Sequence, residues 1–262
     1  MVLLFLFLLL HLFHSVTAGT VRSGPPTIKI LSFSTSSSLY HTWNFQADPV
    51  MGGKSSGSFL LQSTIGILSG TVRDVPSLQA PGFIKIQTPT SNTFPNVSTC
   101  SHLTLEAKSI DTAYQGWRVG IGNSRPSQGR RHASGHKADF RAPTTADTYE
   151  NISIPFNSFS NYWNPATGDA LVSCQEDPQF CPTMSTLSNL QTISIWAEGV
   201  NGKVTLHLRG IYADGCNGIV DPSLFPSVSN TDGDSAGSID KVFSSAVNGF
   251  VVLLTVVFLV LP

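Results

Sequence analysis

Apolar and polar side chains alternate with a period of two along most of the chain. Segments 102–108 and 203–209 place an apolar residue at every second position. The same spacing recurs at Trp117, Val119 and Ile121, at Ile84 and Ile86, and at Ile152 and Ile154. Such alternation is typical of antiparallel strands that bury one face and expose the other. Helical periodicity of any length is absent between the two ends, so the pattern predicts an all-β sandwich of antiparallel sheets.

Segment 157–189 breaks the alternation. It holds few strand-like runs and contains Cys174 and Cys181. We expect this segment to form a long surface excursion that a disulfide ties down.

The first residues have the composition of an export signal. An almost uninterrupted apolar run ends in the small-residue site Val16-Thr17-Ala18, which predicts a signal peptide over residues 1–18. The run is too short to span a bilayer as a mature helix, which needs about 20 residues. We therefore expect the chain to enter the secretory pathway and to reach the cell surface.

The last residues have the order of a glycosylphosphatidylinositol signal. Small residues at 235–237 precede a polar spacer and the apolar segment 249–262. This order predicts attachment at Ser235 and a membrane-anchored protein, with a single transmembrane helix as the alternative. The chain then divides into a signal peptide (1–18), an N-terminal segment (19–27), a β-sandwich domain (28–216), a linker with spacer (217–248) and a hydrophobic tail (249–262).

An even number of cysteines in an exported chain predicts disulfides. The four cysteines allow three pairings, and the short spacing between Cys174 and Cys181 favours a local loop, which leaves Cys100 to pair with Cys216. A metal site is the alternative, but the C-x-x-C spacing of such sites is absent, so no metal is expected. The sequons at Asn96 and Asn151 predict glycosylation.

The charge balance argues against a polyanionic partner. Lys and Arg number 15 against 16 Asp and Glu, and charged residues make up 12% of the chain. No nucleic-acid partner is expected from this balance. The basic cluster at 125–141 contains glycines and serines and is interpreted as a solvated loop. The sequence indicates no cofactor, and the oligomeric state is unknown at this stage.

The run Asp48 to Ser58, with the sequence D-P-V-M-G-G-K-S-S-G-S, imitates two enzyme motifs. It ends like a phosphate-binding loop, but Asp48 stands where the first glycine should be and strand-like residues follow. It also contains G-x-S-x-G, yet a nucleophile elbow needs a helix after the serine. The run is therefore interpreted as a structural turn or a partner contact that uses Asp48, Met51, Gly52, Gly53 and Ser55. On this interpretation Lys54→Ala and Ser55→Ala should leave stability nearly intact.

The same run carries a family resemblance. Residues 43–55 read W-N-F-Q-A-D-P-V-M-G-G-K-S and resemble the signature of the complex I intermediate-associated protein 30 family, a Trp followed by D-x-V-M-G-G-x-S. Weaker similarities follow in order at 67–70, 81–84, 138–141 and 152–159. The resemblance covers about residues 28–212 and implies the jelly-roll form of galactose-binding-like domains. The founding role of that family is mitochondrial complex I assembly, which an exported member cannot inherit.

One strand offers a candidate ligand face. Ile193, Ile195 and Ala197 share the buried phase of their strand, so Trp196 and Glu198 fall on the polar face. An indole beside a carboxylate suits sugar recognition. Further candidates in the polar phase of their strands are Arg118, His207 and Arg209. The alternative is that a loop or the 157–189 excursion covers Trp196.

Two functional classes follow. The first is a non-catalytic extracellular recognition module that binds a protein or a glycan. The second is an assembly or folding factor in the secretory pathway, by analogy with the resembled family. Catalysis is not expected, because the acidic pairs lie in loops with nothing to desolvate them, and no histidine has a partner at triad spacing.

Overall fold

Two antiparallel sheets enclose the core in the computed structural model, which describes residues 26–89, 93–123, 135–145 and 148–217. The predicted signal peptide, the predicted anchor site Ser235 and the hydrophobic tail lie outside these residues. So does most of the basic cluster at 125–141. Across the described part of the chain, no helix has the length and hydropathy needed to cross a membrane.

The described residues form thirteen strands. In chain order these are β1 (Ile28–Ser32), β2 (Asn44–Ala47), β3 (Ser56–Gln62), β4 (Ile65–Val72), β5 (Asp74–Val75), β6 (Ala80–Pro81), β7 (Phe83–Gln87), β8 (His102–Ser109), β9 (Trp117–Gly122), β10 (His136–Phe140), β11 (Glu150–Pro155), β12 (Thr192–Glu198) and β13 (Gly202–Asp214). The helical elements are short. They are the 3₁₀ helices Asp48–Met51, Phe156–Ser158 and Pro178–Phe180 and the α-helix α1, Met184–Ser188.

The strands build two large sheets and one small ribbon. The six-stranded sheet has the order β11-β8-β13-β4-β3, with β1 also paired to β13. The five-stranded sheet has the order β10-β9-β12-β7-β2, and β5 pairs with β6. Every pairing is antiparallel. The predicted all-β jelly-roll sandwich is confirmed.

The core forms where the apolar phases of the two sheets meet. The six-stranded sheet contributes Leu103, Leu105 and Ala107, all fully buried. The five-stranded sheet contributes Ile193 and Ile195, which are equally buried. Each of these leucine and isoleucine side chains stabilises the fold by about 1.5–3 kcal/mol relative to leaving it exposed. The alternation in the sequence therefore identified the core face of these strands correctly.

Both predicted disulfides are present. Cys100 bonds to Cys216, and Cys174 bonds to Cys181 within the excursion at 157–189. The excursion contains two of the 3₁₀ helices in part or whole and α1, and its only β contacts among described residues are isolated bridges. A long surface excursion tied down by a disulfide was the prediction for this segment, and the structure agrees.

Candidate functional site

The signature turn is organised around one buried carboxylate. Asp48 is fully buried, and its Oδ1 accepts a hydrogen bond from the Ser55 backbone N–H at 2.9 Å. Its Oδ2 accepts from the Phe83 backbone N–H at 3.0 Å and from the Ser55 hydroxyl. Ser55 Oγ in turn accepts from the backbone N–H of Arg73 at 3.0 Å. The carboxylate thus ties the turn to Ser55, just before β3, and to Phe83, the first residue of β7.

The two glycines of the turn serve different purposes. Gly52 has φ +79°, a left-handed conformation that a residue with a Cβ adopts only with strain. Gly53 has no such angle, but a Cβ there would overlap the Asp48 carboxylate. A residue larger than glycine is also excluded at Gly82, just before β7, because a Cβ there would overlap the same carboxylate.

The turn is therefore structural, as the sequence indicated, with one correction. Ser55 was expected to tolerate replacement by alanine, but it is buried and links Asp48 to Arg73 through its hydroxyl. Removing the hydroxyl leaves buried partners without a hydrogen bond, which is costly. The side chain of Met51 lies outside the described residues, so its predicted partner contact stays a prediction.

The outer face of the five-stranded sheet carries rows of polar side chains in register across the strands. Lys85 of β7 pairs with Trp196 of β12, which pairs with Arg118 of β9. In the next row Ser194 lies between Gln87 and Gly120. These residues alternate with the core positions of the same strands, so they point away from the core.

Trp196 and Glu198 occupy the predicted outer phase of β12, but they do not lie on an open face. Each residue is 6% exposed. The excursion covers them. The Lys137 ammonium contacts the rings of both Trp163 and Trp196. Arg118 donates to the Thr167 carbonyl at 2.7 Å and to the Asp169 carboxylate at 2.5 Å. Of the two alternatives that the sequence left open, an open ligand face and a covering loop or excursion, the structure shows the covering excursion.

The covered face holds a cluster of charged groups around one carboxylate. Glu198 Oε1 accepts from Lys137 Nζ at 2.5 Å and lies 3.3 Å from Arg118 Nη1. Arg118 also donates to Asp139 at 2.6 Å. Lys85 has no ion-pair partner among the described side chains, and its ammonium donates to Gln87 Oε1 at 2.9 Å. Glu198 is thus shared by two cations, while Lys85 relies on a neutral amide.

Indole rings surround the two lysines. The ammonium groups of Lys85 and Lys137 lie 4.2 Å and 4.0 Å from the centroid of the Trp196 ring. Lys137 also lies 3.8 Å from the centroid of Trp163. Burial, followed by the positive charge of Lys137, lowers the pKa of Lys85 to about 8, and burial also lowers the pKa of Lys137. Cation–π contacts and the nearby carboxylate offset part of this cost.

A pocket opens beside this cluster. Its lining includes Gln87, Lys137, Trp163, Thr192, Ser194 and Trp196. Gly120 lies in its floor, where a Cβ would come within 2.5 Å of Ser194 Oγ. A second pocket shares both indoles and is lined by Glu198, Phe83 and Pro165 among others. Two indole rings therefore form walls of both pockets.

His207 and Arg209 do not join this site. Both lie on β13 in the six-stranded sheet, whereas Trp196, Glu198 and Arg118 belong to the five-stranded sheet. Arg209 lies 3.6 Å from the centroid of the Tyr149 ring and 3.4 Å from Glu106 Oε1. The five candidates grouped as one ligand face are thus divided between two sheets, because phase along a strand does not reveal which sheet the strand joins.

The chain matches the complex I intermediate-associated protein 30 (CIA30) family model over residues 31–171, which is more than half of its length. The chain belongs to this family. The CIA30 match includes the signature turn and most of the five-stranded sheet, and it ends inside the excursion. The family resemblance of the signature is thereby confirmed. No match was found among curated proteins.

Solved structures with a similar fold include a family 11 carbohydrate-binding module from Clostridium thermocellum in complex with a β-1,3-1,4-mixed-linked tetrasaccharide. It is 15% identical, the alignment covers 74% of this chain and 98% of the module, and the TM-score is 0.45. The family 11 module of the cellulase Lic26A-Cel5E of the same organism is 17% identical, with coverage of 74% and 96% and a TM-score of 0.45. An agarase is 13% identical over 72% of this chain and 26% of its own, with a TM-score of 0.41.

Several residues of this site had no clear signal in the sequence. Lys85 alternates with Ile84 and Ile86 and has the pattern of a solvated lysine on a strand. Trp163 lies in the excursion, whose docking position no local pattern specifies. Lys137 reaches Trp196 and Glu198 because its neighbour across the strands is Gly120, which has no side chain. The presence of Gly120 and Gly122 within one strand was the available sign of a close approach.

The two sequons lie on exposed positions. Asn96 is in the connection before β8, and its Oδ1 accepts from the Ser98 backbone N–H at 2.9 Å. Asn151 is on β11, at the edge of the six-stranded sheet. A glycan at Asn151 would therefore decorate the sheet opposite the pocket, and glycosylation at both positions stays a prediction.

Proposed function

We propose that this CIA30 domain is a non-catalytic recognition module that binds a glycan in the pocket beside Trp163 and Trp196. The observation that carries the proposal is the pairing of indole walls with polar side chains in the floor. Indole rings stack on the C–H faces of sugars, and side-chain amides and hydroxyls bond to sugar hydroxyls. Gln87, Thr192 and Ser194 supply those polar groups.

The arrangement around Glu198 supports binding rather than catalysis. A pair of carboxylates at a suitable separation is what glycoside hydrolysis generally requires. Glu198 is the one carboxylate buried in this cluster, and Lys137 and Arg118 engage it. Asp139 and Asp169 are largely exposed and paired with Arg118. Within the described residues no group of His, Cys, Asp and Glu could hold a metal ion.

The two disulfides suit a module that works outside the cytosol. Disulfides persist in oxidising compartments, and the domain has two. Together with the predicted end signals, they favour display at the cell surface, which we propose as the location. A folding or assembly role in the secretory pathway is the competing function, and it predicts binding to client proteins rather than to glycans.

A glycan array tests the proposal. The full-length protein, purified in detergent, should bind a restricted set of glycans, and Trp163→Ala should reduce that binding at least tenfold. Tyr149→Ala is the matched control, because it removes an aromatic ring next to Arg209 of the six-stranded sheet. Both variants must retain the thermal unfolding midpoint of the wild type within a few degrees. Unchanged glycan binding by Trp163→Ala, or an equal loss of binding in Tyr149→Ala, would contradict glycan binding in this pocket.

A further inference from the structure

The amide of Gln87 has a defined orientation. A protonated lysine can only donate hydrogen bonds, and Lys85 Nζ lies 2.9 Å from the Gln87 side-chain oxygen. The oxygen is thereby occupied, and the amide NH₂ is the group left to meet a ligand. Gln87 lines the pocket, so it presents two N–H donors there.

The hydroxyl of Ser194 is oriented by the same reasoning. An indole nitrogen is a donor only, and Trp196 Nε1 lies 2.7 Å from Ser194 Oγ. The serine oxygen therefore accepts, and its own hydrogen is available to donate. Ser194 also lines the pocket, directly across the strands from Gln87.

Lys137 adds a third set of donors and a positive charge. Its ammonium has three N–H bonds, of which one reaches Glu198. Beside the pocket, the three cations Lys85, Lys137 and Arg118 are balanced by the three carboxylates Glu198, Asp139 and Asp169. The pocket is therefore rich in hydrogen-bond donors, and Lys137 is the charged side chain in its lining, because burial lowers the pKa of His136 to about 4 and keeps that ring neutral.

We infer that the glycan bound in this pocket is acidic and presents the carboxylate of a hexuronate to Gln87, Ser194 and Lys137. This inference rests on the proposed function and adds the chemical class of the ligand. A carboxylate has two oxygens and accepts several hydrogen bonds, which matches the three converging donors.

Calorimetry with matched oligosaccharides tests the inference. The probes are uronate oligosaccharides prepared from galacturonan, mannuronan and a glucuronate polymer, each compared with its carboxyl-reduced neutral form of the same linkage. The full-length protein should bind at least one acidic oligosaccharide ten or more times tighter than its neutral form. Gln87→Glu should erase that preference, because it replaces the NH₂ donor with a second carboxylate while still accepting from Lys85. Gln62→Glu, which adds the same charge on exposed β3, should leave the preference unchanged.

The possible outcomes distinguish failure of the acidic-glycan inference from failure of the proposed glycan-binding function. Equal or tighter binding of the neutral forms overturns the inference and leaves the proposed function standing. Preference for a sulfated glycan over every uronate also overturns it, in favour of another anion. Failure to bind any glycan, acidic or neutral, removes the proposed function and the inference with it. A retained acid preference in Gln87→Glu shows that the carboxylate binds elsewhere.

Discussion

The carboxylate of Asp48 accepts a hydrogen bond of 3.0 Å from the backbone N–H of Phe83, 35 residues further along the chain. Phe83 opens β7, which lies between β2 and β12 in the five-stranded sheet. The signature turn of the CIA30 family thus fixes the start of the strand that carries Lys85 and Gln87. The motif thus contributes to the site by positioning β7.

Disruption of this carboxylate should destabilise the domain. We expect Asp48→Asn to cost about 2–3 kcal/mol, because the amide NH₂ would face backbone and hydroxyl donors at a buried position. Ser55→Ala should cost about 1–3 kcal/mol for the hydrogen bonds it loses. Lys54→Ala, at an exposed position of the same turn, should stay within about 0.5 kcal/mol of the wild type. Urea unfolding measures all three, and a neutral Ser55→Ala would contradict the structural role.

Replacing a glycine around the turn by alanine should cost more stability where the Cβ overlaps Asp48 than where it only strains the backbone. Gly82→Ala and Gly53→Ala place a Cβ against the Asp48 carboxylate, and we expect each to cost more than about 2 kcal/mol. Gly52→Ala meets no neighbouring atom and only strains a left-handed backbone, which costs about 1 kcal/mol. Secreted yield and unfolding midpoints report the order. A reversed order would show that backbone conformation, and not space beside Asp48, restricts the motif.

His136 should make the domain sensitive to acid. Burial lowers the pKa of His136 to about 4, opposed in part by its hydrogen bond to the Cys181 carbonyl. Between about pH 6.5 and 4 the unfolded chain binds a proton that the folded chain does not, so stability falls as the pH falls. From pH 7.5 to 4.5 we expect His136 to account for a loss of about 2 kcal/mol.

The variant His136→Gln isolates that contribution. Its amide can donate to the Cys181 carbonyl but does not titrate. Urea unfolding at pH 7.5 and 4.5 should show a smaller acid loss in the variant than in the wild type. Equal losses would mean that other groups cause the acid sensitivity.

Anchoring is tested on cells. If glycolipid attaches near Ser235, phosphatidylinositol-specific phospholipase C should release the protein, and the mature chain should lack residues 249–262. Mass spectrometry of the released protein locates its C-terminus. Retention in the membrane fraction together with recovery of tail peptides would show a transmembrane helix instead.

Local patterns predicted the strands well because each strand buries one face. In β12 the period-two alternation separated core Ile193 and Ile195 from outer Trp196 and Glu198 correctly. The same alternation could not show that Trp163 and Arg118 would hold the excursion over this face. That contact joins residues far apart in sequence, and it turns an apparent surface into a buried, charged site. The exposure of the candidate site was therefore beyond what alternation can predict.

The signature turn also depends on a long-range contact that local sequence patterns could not predict. Pro49 and the paired glycines indicated a tight turn, and hydrogen bonds from Asp48 to nearby backbone were foreseeable. The partner at Phe83 was not, because it depends on how β7 pairs with β2. This long-range contact is also why Ser55 and Gly82 matter more than their local sequence suggests.

The most direct test of the account is the response of the indole N–H signals to a glycan. The chain has four tryptophans, of which Trp163 and Trp196 line the pocket while Trp43 and Trp117 pack on the core side. Two-dimensional NMR of ¹⁵N-tryptophan-labelled full-length protein, titrated with the tightest oligosaccharide from the array, follows all four. Trp163→Phe and Trp196→Phe assign the pocket signals. We predict shifts at Trp163 and Trp196 with little change at Trp43 and Trp117, whereas saturation without a shift at either pocket indole would contradict glycan binding at this site.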